Sequence, residues 1–241
     1  MRIGIDPGHG GSDPGAVGPS GLQEADVNLD VGLRINQILE INGLAVVTTR
    51  TKDRYLNLFE RSKILNHAKC DYVISIHCNS STFPEPDYVS TFIQGRGGEA
   101  EKLAKGIQRH LVDATGWADG GVRVKNLHMT RETDSPAILV EMGFISNPDQ
   151  EAQLKQEGMR KTLALSIALG ILDYLKIKPL DVDSPLPLAT VKANGRLIGG
   201  VNIRGRIYAP VRALAEALGR GVEWDDATKT VTIKGGSDAG G

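Results

Sequence analysis

Apolar residues gather in five short runs, at 2–6, 44–49, 72–76, 89–94 and 137–141, each ended by glycine, polar or charged residues. Runs of this length and composition predict β-strands. Between most of them the spacing changes to the three-to-four repeat of a helix. In 24–42 it falls on Val27, Val31, Ile35, Ile38 and Leu39 and stops at Asn42-Gly43, and 56–68 and 99–114 repeat the pattern. A last helical stretch spans 149–175, with a break near Gly158. Tyr-Val-Ile-Ser-Ile at 72–76 and Ala-Ile-Leu-Val at 137–140 are nearly continuous in apolar character, so these strands are covered on both faces. Strands alternating with helices then give an α/β fold: a mostly parallel twisted sheet flanked by helices.

After Leu175 both periods stop. Lys178-Pro179 and a stretch with two further prolines mark a linker at 177–188, which separates a domain at 1–176 from a module at 189–235. In the module, strands are expected at 191–193, 196–198, 206–208 and 230–234 and a helix at 210–218, making a small α+β C-terminal domain. Residues 236–241 read as a flexible tail. A length of 241 residues suits this division, and 40% hydrophobic with 24% charged residues excludes a disordered or fibrous chain. No stretch reaches the ~20 apolar residues of a membrane span. The best candidate, 162–175, is interrupted by Ser166, Gly170 and Asp173. The opening apolar run breaks after Ile5 and lacks the pattern of a secretory signal, so synthesis in the cytoplasm without an export signal is expected.

The net charge of −1 hides an asymmetry: 20 Lys+Arg against 24 Asp+Glu up to residue 188, and 8 against 5 beyond it, which is −4 and +3. A basic module suits an anionic polymer, although a solvated basic face is the commoner meaning. Cys70 and Cys78 lack metal-ligand spacing and read as buried thiols.

In open α/β sheets chemistry collects beyond the carboxyl ends of the strands. Three such ends carry unusual residues. The first runs into Asp6-Pro7-Gly8-His9-Gly10-Gly11, whose glycines turn the chain sharply and expose His9; the third ends at Ser75-Ile76-His77; the fifth ends at Glu141. Alternation along the strand turns Cys78 away from whatever His77 faces. Glu24 opens the first long helix, close to His9 in the chain. Singly, each has a plain structural meaning: a satisfied strand-end histidine, a carboxylate favoured by the helix dipole, a buried ion-pair partner. Together, two imidazoles and a carboxylate match the three-ligand set of catalytic zinc, with a second carboxylate to take a proton from water. Residue chemistry alone reaches metal-assisted amide hydrolysis.

D-P-G-H-G-G, the following Glu24, S-I-H at 75–77 and P-A-I-L-V-E-M-G-F-I-S-N-P at 136–148 resemble the zinc-dependent N-acetylmuramoyl-L-alanine amidases over roughly residues 1–175. The resemblance implies that His9, Glu24 and His77 hold Zn2+ and that Glu141 is catalytic. It also implies cleavage between the lactyl group of N-acetylmuramic acid and L-alanine in peptidoglycan. Where many relatives have Asp-Arg-Gly, this chain has Asp119-Gly120-Gly121, so a basic contact is missing, with Arg123 or Arg131 as substitutes. Residues 126–131 fall in the family's substrate-facing loop, where His128 is more often plain loop than a contact. His67 and His110 lie in helical patterns and read as surface or helix-end residues. Arg50 and Arg61 read as members of structural ion pairs.

Y-A-P-V-R-A-L-A-E-A-L-G at 208–219 and V-E-W-D-D-A-T-K-T-V-T-I at 222–233 resemble the copper amine oxidase N-terminal-like domain of bacterial surface proteins. No copper site follows, since the module has neither His nor Cys. A cell-wall-binding role is expected, with Trp224 and Tyr208 either as contacts or as module core. The expected protein is a monomeric, endolysin-like wall hydrolase that acts after release and binds peptidoglycan, with no nucleic-acid partner and no membrane insertion. A sporulation-type autolysin and a catalytically inactive wall-binding protein are the alternatives. A nucleotide-binding role for the glycine-rich loop is disfavoured, because neither G-x-x-x-x-G-K-S/T nor G-x-G-x-x-G is present.

Overall fold

The computed structural model describes residues 1–180, 188–203, 206–225 and 230–234. It divides into two compact units, Met1–Pro179 and Leu180–Gly241.

The first unit runs β1 (Arg2–Pro7), α1 (Glu24–Ile41), β2 (Ala45–Thr48), α2 (Leu58–His67), β3 (Tyr72–Asn79), β4 (Tyr88–Ile93), α3 (Glu99–Thr115), β5 (Ala118–Val124), α4 (His128–Arg131), β6 (Ala137–Phe144), α5 (Pro148–Leu154) and α6 (Glu157–Tyr174). Six strands form one sheet in the order β2-β1-β3-β6-β4-β5. β1, β2, β3 and β6 are mutually parallel, whereas β4 runs antiparallel to β6 and carries β5 parallel to itself. The mostly parallel sheet is as the sequence indicates. β5 was not foreseen.

Alternation along the strands divides the sheet's two faces. Ile3, Ile5, Ile74, Ile76, Ile138 and Val140 point into the large core, which Val27, Val31 and Ile35 of α1, Ile107 of α3 and Ile167 of α6 complete. The opposite face holds a smaller apolar cluster of Leu65, Cys70, Val73, Met129 and Ala137 under α2 and α4. Cys70 and Cys78 are both buried free thiols, as expected. On this second face, toward the carboxyl ends of β1, β3 and β6, polar residues replace apolar ones: Asp6, Ser75, His77 and Glu141. A strand interior tolerates such residues only when they are partnered or functional.

The break in the last helical pattern falls at Lys155-Gln156, near Gly158 as expected: Lys155 caps the end of α5, and Gln156 is the N-cap of α6. Gly158 sits in the first turn of α6, where a glycine is tolerated.

The second unit contains β7 (Leu188–Ala193), β8 (Arg196–Ile203) and β9 (Arg206–Tyr208) as an antiparallel sheet. α7 (Val211–Ala217) and an antiparallel pair, β10 (Val222–Asp225) and β11 (Thr230–Ile233), follow. β10 was not foreseen. β7 already begins at Leu188, so that residue belongs to the sheet and not to the linker. Of the expected linker at 177–188, residues 177–179 belong to the first unit, with Ile177 packed against its core, while 181–187 and the tail at 236–241 lie outside the described residues. A small core of Ala193, Ile198 and Ala217 leaves Trp224 50% and Tyr208 37% exposed, so neither aromatic fills it.

Candidate metal centre

His9 follows β1 with a left-handed backbone, φ 61°. Few non-glycine residues adopt this conformation, histidine more readily than most. Arg61 Nη2 donates to the His9 carbonyl at 2.6 Å and Arg61 Nη1 to that of Pro7 at 2.7 Å, fixing the turn. Arg61 is itself paired with buried Asp6 at 3.0 Å, as the ion-pair reading expects. Arg50 departs from that reading. Among the described residues it has no carboxylate partner, and it donates instead to the carbonyls of Pro7, Gly8 and Ala25 at 2.7–2.9 Å. Both arginines thus clamp the backbone that presents His9.

Glu24 is 3% exposed at the start of α1. Its Oε1 lies 2.9 Å from His77 Nδ1 and 3.3 Å from His9 Nε2, and accepts from Asn28 Nδ2 at 3.2 Å and the Cys78 amide at 3.1 Å. Oε2 accepts from the Ala16 amide at 2.9 Å. The other nitrogen of His9, Nδ1, is 2.8 Å from Asp13 Oδ2. One donor atom from each of His9, Glu24 and His77 falls within 4.8 Å of the others. Two imidazole nitrogens and one carboxylate oxygen at this spacing fit a divalent ion such as zinc, and a carboxylate behind a ligating imidazole is the usual orienting partner.

Charge follows geometry. Burial by itself would lower the pKa of His9, but hydrogen bonding and attraction to Glu24, then to Asp13, raise it to about 9. Burial would raise Glu24, yet the two histidines hold its carboxyl well below the usual carboxylate range. A cation entering the cluster would displace protons from the imidazoles, so its uptake strengthens as pH rises.

Two glycines make room. A Cβ on Gly8 would fall 2.2 Å from His77 Cε1, and one on Gly15 would fall 2.6 Å from Glu24 Oε2. Gly8→Ala is therefore expected to displace the His77 ring and lower zinc affinity on the order of 10–100-fold, as loss of orientation does at metal sites. Zinc titration by calorimetry measures this, and unchanged affinity would remove the steric argument.

Glu141 is the direct cross-strand partner of His77 in the β3–β6 register. It is half-buried, and Oε2 has no hydrogen-bond partner among the described residues. Burial raises its pKa to about 7; His77 opposes the rise and Glu24 adds to it. Beside it opens a cleft of about 430 Å³ lined in part by Asn79, Tyr88, Phe92, Arg123, Lys125 and Phe144. A smaller hollow of about 90 Å³ adjoins His9 and His77 on the side of Tyr55 and Leu58.

The structure thus brings together His9, Glu24, His77 and, on the neighbouring strand, Glu141. Asp13 and Asp6 were missed, though Asp13 stands four residues after His9 in the same loop. Two local expectations change. The segment expected as a loop at 126–131 contains helix α4, with His128 Nε2 3.2 Å from Ser62 Oγ. Arg131 pairs with Glu132 and Asn126, whereas Arg123 lines the cleft. His67 ends α2 as expected, and His110 lies within α3, near Asp173.

Fold and site together describe an α/β protein whose His/Glu cluster has the donor set of a metal site, an arrangement suited to hydrolysis. The profile described as N-acetylmuramoyl-L-alanine amidase matches residues 3–173, and the chain belongs to that enzyme family. The sporulation-specific N-acetylmuramoyl-L-alanine amidase of Bacillus subtilis is 34% identical over 180 residues, 74% of this chain and 69% of that protein. The endolysin of Bacillus phage SPP1 is 30% identical over 242 residues, 96% of this chain and 89% of that protein. The solved structure of the catalytic domain of CwlV, an N-acetylmuramoyl-L-alanine amidase of Bacillus (Paenibacillus) polymyxa var. colistinus, superposes with TM-score 0.70 at 38% identity. The match covers 73% of this chain and 99% of that domain. A second profile, the copper amine oxidase N-terminal domain, matches residues 199–239. Among the described residues no helix is long and apolar enough to cross a membrane.

Proposed function

We propose that His9, Glu24 and His77 hold a zinc ion and that Glu141 is the catalytic base in cleavage of the amide between N-acetylmuramic acid and L-alanine of peptidoglycan. The unpartnered Oε2 of Glu141, next to the three donors, carries this reading. A bound zinc ion supplies Lewis-acid polarisation of the scissile carbonyl and makes water more acidic. Glu141, with a pKa near neutrality, accepts the proton of the attacking water on Oε2 and delivers it to the departing L-alanine nitrogen. Glu24, held by Asn28 and the Cys78 amide, keeps a fixed negative charge beside both imidazoles. Asp13 fixes which nitrogen of His9 faces the donor cluster.

We read the whole chain as a monomeric lysin that reaches the wall after release from the cell. Residues 1–176 act as the amidase domain and 189–235 as the wall-binding module, whose exposed Trp224 and Tyr208 offer contacts. The likeness to the SPP1 endolysin, running over 96% of this chain, favours this reading over the sporulation-type autolysin.

Purified Gram-positive walls test the proposal. Wild-type protein is expected to release new L-alanine amino termini and no reducing sugars, with activity lost to a chelator and restored by zinc. New reducing ends, or activity indifferent to chelation, would refute the mechanism. Protein ending at residue 180 should sediment with walls less than the full chain does, and equal sedimentation would refute the module's role.

A further inference from the structure

One cluster of charged side chains is not used by the hydrolytic step. β5 lies at the sheet edge beside β4, with Arg123 opposite Phe92 in register. Arg123 and Lys125 project onto the face that carries Tyr88, Phe92 and Glu141, and all five line the same cleft of about 430 Å³. Both cations are seated. The Arg123 guanidinium lies 4.7 Å from the Tyr88 ring centroid and donates from Nε to the Gly120 carbonyl at 2.7 Å and from Nη1 to Tyr88 Oη at 3.3 Å. The Lys125 ammonium lies 5.3 Å from the Phe92 ring centroid. Aromatic faces hold a cation in place without neutralising it. Neither cation has a carboxylate partner among the described residues, whereas Lys102, Lys105 and Arg109 of α3 each have one. Among the described residues, the only acidic group lining the cleft is Glu141 itself.

We infer that Arg123 and Lys125 form a subsite that reads a carboxylate of the stem peptide, on the leaving-group side of the scissile amide. The inference rests on the amidase reading, because it takes Glu141 to mark the scissile bond. What enters a cleft adjoining Glu141 is then whatever is covalently attached to that amide. On the glycan side the lactyl carboxyl is consumed in the amide and the sugars are neutral. On the peptide side, the residue after L-alanine is a glutamate joined through its side chain, with an α-carboxyl left either free or amidated. Two fixed cations match the free acid and not the amide, and a guanidinium offers a planar pair of donors to a carboxylate. The cleft's size is that of a small-molecule site. Arg123 and Lys125 stand three and five residues beyond Gly120, Arg123 within β5 and Lys125 just after it.

The test compares two soluble substrates that differ only at the α-carboxyl, N-acetylmuramoyl-L-alanyl-D-glutamate γ-methylamide and its α-carboxamide counterpart, on the zinc-loaded full chain and on R123Q/K125Q. Wild type is expected to prefer the acid in kcat/KM by roughly 10–100-fold, the worth of a charge-assisted hydrogen bond. In the double variant the ratio should fall toward one. Calorimetry with the capped dipeptide L-alanyl-D-glutamate γ-methylamide should show binding to wild type that the variant loses; both positions are exposed, and thermal unfolding checks that the variant is folded. Equal rates on the two substrates, or a preference that survives in the variant, would overturn the subsite. So would inorganic phosphate competing as well as the dipeptide, which would show a general anion patch. If neither substrate is cleaved but the dipeptide still distinguishes wild type from variant, the subsite stands and the amidase reading falls. If the dipeptide does not distinguish them either, both fall.

Discussion

Glu141→Gln is expected to lower hydrolysis of the muramoyl–alanine amide by about 10³-fold, within the range by which a positioned general base accelerates proton transfer. Zinc binding should persist, because the side chain is on the strand neighbouring His77 and donates nothing to the donor cluster. The same substitution should raise the stability of metal-free protein at alkaline pH. Burial lifts the Glu141 carboxyl from 4.5 to about 7. Its favourable contribution is therefore fully present below about pH 4.5 and is lost as pH rises through 7. Above pH 7 the wild type carries a poorly solvated carboxylate that glutamine does not, a difference on the order of 3 kcal/mol at most. Thermal unfolding of both proteins without metal at pH 4.5 and pH 8 checks the sign. A wild type at least as stable as the variant at pH 8 would contradict the environment described for Glu141.

Asp6→Ala should be among the most destabilising single changes in the first unit. Asp6 is fully buried and accepts from Arg61 Nη1 at 3.0 Å, Thr49 Oγ1 at 2.7 Å and Ser75 Oγ at 2.8 Å. Removing it strands the guanidinium of Arg61, itself 3% exposed, and breaking a buried pair in this way destabilises by about 3–5 kcal/mol. For a unit of this size that is a fall in melting temperature of roughly 10 °C. Arg61 also grips the carbonyls of Pro7 and His9, so zinc affinity should fall with stability. Calorimetric unfolding and zinc titration measure the two together. A melting temperature within a degree or two of wild type would mean that the Arg61 charge finds another partner.

His9, His77 and Glu141 could be read from the sequence because each breaks a local rule. A histidine among glycines, and a histidine or glutamate ending an apolar strand, are costly unless used, and the strand periodicity placed them at one sheet edge. What periodicity could not give was direction. The apolar run of β4 has the same composition whichever way it runs, so its antiparallel pairing with β6 was invisible. β5 was missed for a different reason. Asp119, Gly120 and Gly121 interrupt any alternation, and the strand sits at an edge where its ends are exposed, so burial leaves no signature. The supporting groups were equally silent. Asp6 and Asp13 are ordinary loop-type residues until the partners that approach them from distant parts of the chain are known. Arg50, expected to pair with a carboxylate, donates from Nε and Nη2 to backbone carbonyls instead, and no pattern of side chains records that.

The hydrogens of Gly8 and Gly15 bear on any attempt to move this chemistry elsewhere. The space that a methyl group would take at residue 8 is filled by the His77 ring, and at residue 15 by Glu24 and His9. A designer who grafted only the two histidines and the glutamate onto another strand-and-loop scaffold would carry every donor atom and still lose the centre, unless those two positions were left without side chains. The transplantable unit is therefore the pair of voids together with the ligands that occupy them.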